Sequence, residues 1–294
     1  MKRIMVILLL FIIVRPAVSV SVAADELKHP SYSIVIDNEE LKLDEKPFLR
    51  AGTTMIPMRA IFERLGLHAV WNAQTKQITA SNDERKLVLT VGSRDAAVNG
   101  VKTSMPLAPA VINNVTYVPL RFVSDASGGN VEFYDGYDVV WVLSAKQDQL
   151  FSAIMFEDLK EVERLLAIGA DPTVPIGPAG PEWFVFANGS IPLYELFLKY
   201  GMDINYYSQE WHGSTLLTSA ITAGRPDAVA FLLEKGADPE LTERNGFTPL
   251  ELARYWQKQI EDGYTNIIDE SLTPTVEDYD AIIRMLEEEI AAKK

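Results

Sequence analysis

A hexapeptide of this chain returns sixty-two residues after its first appearance. Thr54-Met55-Ile56-Pro57-Met58-Arg59 comes back as Thr116-Tyr117-Val118-Pro119-Leu120-Arg121. The same offset carries Gly66 onto Gly128 and Trp71 onto Phe133 with no gap. Several landmarks on one spacing mean a duplicated unit, so residues 33–143 must fold as two copies of one plan. A second period takes over behind it. Gly169-Ala170-Asp171-Pro172 returns as Gly236-Ala237-Asp238-Pro239, with Gly201-Met202-Asp203 between them, the glycines 32 and 35 residues apart. An apolar helix end precedes each glycine: Leu165-Leu166, Phe197-Leu198 and Leu232-Leu233. Units of this length cannot bury their apolar faces alone and must stack. At 294 residues, the chain has room for both modules.

Each copy in the first module reads the same way. Alternating Ile34 and Ile36, then Leu41 and Leu43, predict a hairpin around Asp37-Asn38. A strand ends at Ile56-Pro57, where the residue before proline stays extended. A helix follows over 58–65, with Ile61, Phe62 and Leu65 on one face and Gly66 as its stop. Strands return at 69–71 and 77–80. The second copy repeats this with strands at 87–91, 97–101, 116–118 and 139–143 and a helix over 120–126. The expected fold is α+β, two duplicated β-β-α-β halves forming antiparallel sheets with packed helices. Arg59 and Arg121 stand in the first turn of their helices, where a cation opposes the helix dipole. A salt bridge or a backbone carbonyl inside the fold would explain them.

With these residues in view, the segment 33–143 resembles the copper amine oxidase N-terminal-like domain, or stalk domain. That family's pattern is apolar-Pro-apolar-Arg, then a glycine turn, then an aromatic. It stands here as Ile56-Pro57-Met58-Arg59, Gly66 and Trp71, and again as Val118-Pro119-Leu120-Arg121, Gly128 and Phe133. The resemblance implies a secreted, cell-surface or wall-associated module of the kind found in Gram-positive bacteria. It implies no copper or quinone cofactor, because those belong to a different domain of the parent enzymes. The second module is similar to ankyrin repeats, whose period is about 33 residues. Asn245-Gly246-Phe247-Thr248-Pro249-Leu250-Glu251-Leu252-Ala253 carries the Gly-x-Thr-Pro-Leu-x-x-Ala signature, and Gly213 to Ala220 aligns with it. Thr caps a short helix, Pro suits its first position, Gly ends the second helix, and Asp helps form the loop beyond. About four repeats are expected over 150–294 as an all-α solenoid, the last interrupted by an insertion at 261–274. Residues 144–149 are expected to link the modules.

The first residues address the compartment. Lys2 and Arg3 precede an apolar run from Ile4 to Val14, and small residues end at Ala23-Ala24. This order predicts a signal peptide over 1–24, with a short tail over 25–32. The run is shorter than the roughly 20 residues a bilayer needs. No later stretch reaches that length, so no transmembrane segment is expected after cleavage. The chain has no cysteine, which excludes disulfides, a thiolate nucleophile and thiolate metal sites. Its net charge is −14, and residues beyond 144 account for all of it, with 12 basic residues facing 26 acidic ones. Such a surface repels phosphate backbones and disfavours nucleic acid. A protein partner with a basic face suits it, as do cell-wall components at the stalk.

Residues for catalysis are sparse. His29, His68 and His212 have no zinc-binding spacing, and no nucleophile elbow or phosphate-binding loop occurs. No catalytic residue, metal site or cofactor is expected. Paired carboxylates at Glu157-Asp158, Glu261-Asp262, Asp269-Glu270 and Glu277-Asp278 read as caps and solvated faces. They also leave open an alternative, an envelope carbohydrate-binding or hydrolytic protein using acidic loops. Aromatics gather in the second module: Trp183, Phe184, Phe186, Tyr206, Tyr207, Trp211, Tyr255, Trp256 and Tyr264. The expected partner-binding residues are Tyr206, Tyr207, Trp211, His212, Arg244 and Phe247, in loops between repeats, since aromatics and arginine dominate interface energetics.

Overall fold

The computed structural model describes residues 28–178, 187–207, 213–244, 246–264 and 273–293. The expected signal peptide lies outside the described residues. Part of the expected tail is tied down, with Lys28 bridging to Leu49 and the His29 ring 2.8 Å from the Pro47 carbonyl.

The first copy comprises β1 (Ser33–Ile36), β2 (Glu39–Glu40), β3 (Phe48–Arg50), β4 (Thr53–Pro57), α1 (Met58–Arg64), β5 (His68–Asn72) and β6 (Gln77–Ser81). After β7 (Lys86–Thr90) the second copy follows: β8 (Asp95–Val98), β9 (Val101–Ser104), β10 (Ala110–Ile112), β11 (Val115–Pro119), α2 (Leu120–Ala126), β12 (Asn130–Tyr134) and β13 (Val139–Leu143). The 62-residue offset places every element of the first copy on one of the second, start for start. Each copy is therefore β-β-β-β-α-β-β, richer in strands than its sequence pattern indicates. The turns agree as well. Asp37-Asn38 and Asn99-Gly100 all have positive φ, as two-residue hairpin turns demand. Gly66 and Gly128 end α1 and α2 in the left-handed region, at φ +70° and +89°.

The copies do not fold side by side; they exchange strands. One sheet runs β12-β13-β1-β2, joining the last hairpin of the second copy to the first hairpin of the first. Its counterpart runs β5-β6-β7-β8-β9, with β7 inserted where β13 and β1 meet directly. The β1–β13 contact is parallel, a departure from the expected all-antiparallel pairing. It follows from the missing intermediate strand: β6 and β8 point the same way too, but β7 lies antiparallel between them. The third sheet, β10-β11-β4-β3, is symmetric about its centre, where Ile56 faces its own counterpart Val118. A lone hairpin is marginal in water, so the exchange lets each hairpin join a larger sheet. Between the sheets lies one core including Ile36, Ile56, Ile61, Phe62, Val118 and Val142.

Strand β13 is buried throughout and serves two cores. Successive side chains of a strand point to opposite faces. Val140 and Val142 enter the core of the duplicated module, while Trp141 and Leu143 enter that of the helices behind it. Val35 and Tyr134 pack on the same helical side. In the counterpart strand β6, the positions of Val139, Trp141 and Leu143 hold Gln77, Thr79 and Ser81, and among the described residues the strands sharing the apolar core of the helical array belong to the β13 sheet.

The array comprises α3 (Ala145–Met155), α4 (Leu159–Ala167), α5 (Ile191–Lys199), α6 (Leu216–Thr222), α7 (Pro226–Glu234), α8 (Pro249–Glu261) and α9 (Val276–Ala292). The span 144–149, expected as a linker, is instead the N-cap and opening turn of α3. Burial explains this correction. Ser144 N–H donates to Asp37 Oδ1 at 2.8 Å, tying the helix start to the β1 turn. Buried Gln147 bonds both backbone groups of Asp171, at 2.6 and 2.8 Å, across the first repeat. No slack chain separates the modules. Sixty-two residues after β7 the sequence is already within α3.

The repeat chemistry recurs three times. Gly169, Gly201 and Gly236 have φ of +82°, +94° and +93°, and the residue after each donates to the carbonyl five positions back. Asp171, Asp203 and Asp238 then each accept a backbone N–H two residues on, at 2.8, 2.9 and 3.1 Å. Asn205 accepts Asp238 N–H at 2.8 Å, a bond between repeats 33 residues apart. Thr215, Thr248 and Thr275 cap α6, α8 and α9 with reciprocal capping boxes. Of the two first-turn arginines, Arg121 donates to the Val131 carbonyl at 2.6 Å, and Arg59 is exposed.

Candidate partner-binding face

Two loops between repeats approach each other where the sequence placed its candidate contacts. The loop leaving α5 carries Tyr206 and Tyr207, and Tyr206 N–H closes a turn onto the Asp203 carbonyl at 2.9 Å. Tyr206 is half-buried against the array core. Tyr207 lies over Gly213, a residue at φ +73°. A side chain at Gly213 would overlap the Tyr207 hydroxyl and come within 2.7 Å of the Arg244 backbone nitrogen. The missing Cβ thus lets Tyr207 meet the next loop. That loop is closed by Glu243 N–H to the Phe247 carbonyl and Gly246 N–H to the Glu243 carbonyl, both 2.9 Å. Arg244 is exposed on it, and Phe247 is half-buried. Of the six expected residues, Tyr207 and Arg244 therefore meet at Gly213, while Tyr206 and Phe247 lie on the same two loops and pack on the core. Trp211 and His212 lie outside the described residues.

Phe247 also begins a run of aromatic rings along α8. Phe247 and Tyr255 are 5.6 Å apart, Tyr255 and Trp256 5.4 Å, and Trp256 and Tyr264 5.6 Å, the last two pairs edge-to-face. Tyr255 is 43% exposed and Tyr264 46%, whereas Trp256 is half-buried and packs on the core. Its indole N–H is buried with no hydrogen-bond partner among the described residues. Tyr255 and Tyr264 were legible as aromatics but absent from the expected contacts. Helical spacing of about 3.6 residues from the Thr248 cap carries the run from the loop onto α8. The expected insertion begins at the end of α8. Gly263, at φ +93°, turns the chain, and residues 265–272 lie outside the described residues. Past them, the Pro274 ring packs on Gly224.

The charged groups around α8 are exposed and paired. Arg254 meets Glu287 at 2.7 Å, Lys258 meets Asp262 at 2.6 Å, and Gln257 donates to Asp280 at 2.6 Å. Pairs of this kind contribute little stability. Glu251 accepts hydrogen bonds from the Thr248 backbone and hydroxyl, which hold its carboxyl below the usual range. Among the described residues, the charged groups Arg254, Lys258 and Glu251 here serve surface pairs and a helix cap.

Comparison with known proteins agrees with both modules. Residues 35–141 match the family described as copper amine oxidase N-terminal domain, and residues 212–244 match the ankyrin repeat. The chain is 32% identical over 127 residues to the E3 ubiquitin-protein ligase hecd-1 of Caenorhabditis elegans, 41% of this chain and 4% of that protein. It is 39% identical over 66 residues to the 2-5A-dependent ribonuclease of Homo sapiens, 22% of this chain and 9% of that one. With a protease inhibitor of Brevibacillus choshinensis it shares 28% identity over 96 residues, 33% of this chain and 29% of the inhibitor. The chain thus spans only a minor part of each relative's length. Ankyrin repeats point to protein–protein interaction. The chain therefore carries a copper amine oxidase N-terminal domain, followed without a linker by a helical region of ankyrin type.

Proposed function

We propose that this is an exported, non-catalytic protein whose ankyrin array grips a protein partner and whose stalk module holds the array at the cell surface or wall. The approach of Tyr207 and the Arg244 backbone at Gly213, with the run of rings from Phe247 through Tyr255 and Trp256 to Tyr264 beginning three residues on, is the observation that carries this reading. Aromatic rings with an arginine supply rigid contact area at low entropic cost, the composition of interface hot spots. The excess of acidic residues beyond residue 144 favours a partner with a basic face and speeds its approach. The close seating of α3 on β13 gives the array a fixed orientation on the stalk. The basic start and apolar run of residues 1–24 support export.

The test is capture of partners by the purified chain from envelope extracts, read by mass spectrometry at two salt concentrations. A specific partner is expected to be retained at low salt and to weaken as salt rises. The double change Tyr207→Ala with Trp211→Ala, or Tyr255→Ala with Tyr264→Ala, should reduce retention at least ten-fold. Full retention by both double variants would refute the face. Co-sedimentation of the chain with purified cell walls tests the stalk's part, and absence of co-sedimentation would refute wall association.

A further inference from the structure

The stalk module contains a cavity of about 430 Å³ on the side away from the array, built from both copies. The first copy and the segment before it supply Tyr32, Thr53 and Thr54, and the second supplies Leu120, Arg121 and Phe133. Tyr32 and Phe133 meet edge-to-face with centroids 5.4 Å apart, and Phe133 is 45% exposed. The Tyr32 hydroxyl lies 2.5 Å from Thr54 Oγ1, which fixes the tyrosine ring as one wall. Arg121 is the sole charged residue lining the space, and no carboxylate faces it. One guanidinium nitrogen is spent on the Val131 carbonyl at 2.6 Å, which holds the group at the cavity. Arg121 forms no ion pair among the described residues.

The duplication supplies an internal comparison. Sixty-two residues away, Gly52 becomes Asn114, Thr53 becomes Val115, Tyr32 becomes Arg94, and Pro106 becomes Asp44. Arg94 there is occupied by the Met105 carbonyl at 2.8 Å. The related position thus gains a side chain and a carboxylate and loses the Tyr32 and Thr53 hydroxyls, while Thr116 keeps that of Thr54. The first site differs in pairing the Tyr32 ring and hydroxyl with Phe133 and in having one cation and no carboxylate in its lining.

We propose that this cavity binds a small carboxylate with an apolar ring or branched body, its carboxylate on Arg121 and its apolar part against Tyr32 and Phe133. The volume falls within the range of small-molecule sites, which are mostly apolar with a few placed polar groups. The guanidinium fork suits a planar carboxylate. Asp125 lies within electrostatic reach of Arg121 but forms no ion pair with it and does not line the cavity, so the guanidinium beside the apolar wall favours an anion there.

The test uses the full chain and N-acetylphenylalanine, its amide N-acetylphenylalaninamide, and glucuronate, titrated by calorimetry and by amide-shift NMR. N-acetylphenylalanine is expected to bind about ten-fold or more tightly than the amide. Arg121→Gln should lose that preference, Arg121→Lys should restore part of it, and Arg59→Gln, the counterpart outside the cavity, should bind as wild type. The amide shifts should map to Tyr32, Thr54 and Phe133. Equal binding of acid and amide, no binding by 10 mM on the order expected for a single charged contact, or tighter binding of glucuronate would overturn the proposal. So would loss of binding in Arg59→Gln with retention in Arg121→Gln.

Discussion

Replacing Trp141 should uncouple the two modules. This side chain is 5% exposed and sits on the face of β13 that enters the ankyrin core. A buried tryptophan removes on the order of 200 Å² from water. At about 25 cal/mol per Å² that is ~5 kcal/mol, an upper value because unfolded chains already bury part of it. Trp141→Ala should therefore cost about 3–5 kcal/mol, the range for deleting a large buried ring. The loss should fall on the contact between sheet and helices, since Val140 and Val142 still fill the other core. Trp141→Phe offers a contrast. The indole N–H is buried without a partner among the described residues, so Phe keeps most of the area and removes an orphan donor. It should lie within about 1 kcal/mol of wild type. Urea unfolding would be followed by circular dichroism at 222 nm, weighted to the helices, and by tryptophan fluorescence. The wild-type transitions should coincide. In Trp141→Ala the helical transition should move to lower urea and separate. A cost under about 1 kcal/mol with coincident transitions would refute the shared-strand reading.

Other expectations follow from single groups. Burial raises the Asp37 carboxyl above its ordinary range, so the folded chain holds that proton more tightly than the unfolded one. The stability this gives is full below the unfolded value, about 3.9, and is lost as pH rises through the folded value. Asp37→Asn keeps an oxygen for Ser144 N–H, as Asn99 does for Lys86 N–H at 2.7 Å. The variant should gain stability over wild type at pH 7, and the gain should shrink toward pH 3, measured by urea titration across that range. A pH-independent difference would contradict the titration. Thr248→Ala removes the hydroxyl that accepts Glu251 N–H at 3.2 Å, and should cost about 1 kcal/mol in the same assay. Gly213→Ala would force a side chain into φ +73° against Tyr207, and should destabilise by more than the ~1 kcal/mol typical of an unstrained glycine change. Its near-ultraviolet tyrosine signal should change with it.

The sequence was most informative where local chemistry repeats. A fixed offset, proline-limited strand ends, positive-φ glycines and threonine caps each act through neighbours a few residues away, and all appear in the structure at the expected positions. Two features could not be read this way. Strand exchange between the copies depends on which hairpin edges meet, and either copy has the same alternation whether it pairs with itself or with its twin. The parallel β1–β13 contact arises only because β7 has no counterpart, a global consequence of one extra strand. The absent linker was partly written in the chain. Val139, Trp141 and Leu143 are apolar where Gln77, Thr79 and Ser81 stand in β6, and a strand apolar on both faces must be covered on both. At the candidate face, residue type indicated Tyr207 and Arg244, but their meeting at Gly213 joins residues 37 positions apart. The sequence by itself determined the two periods, the repeat chemistry and the acidic balance, because these are properties of neighbours and sums. The tertiary structure alone decided which strands exchange, how the array seats on β13, and where a single arginine meets an apolar cavity, because each depends on surfaces brought together from distant segments.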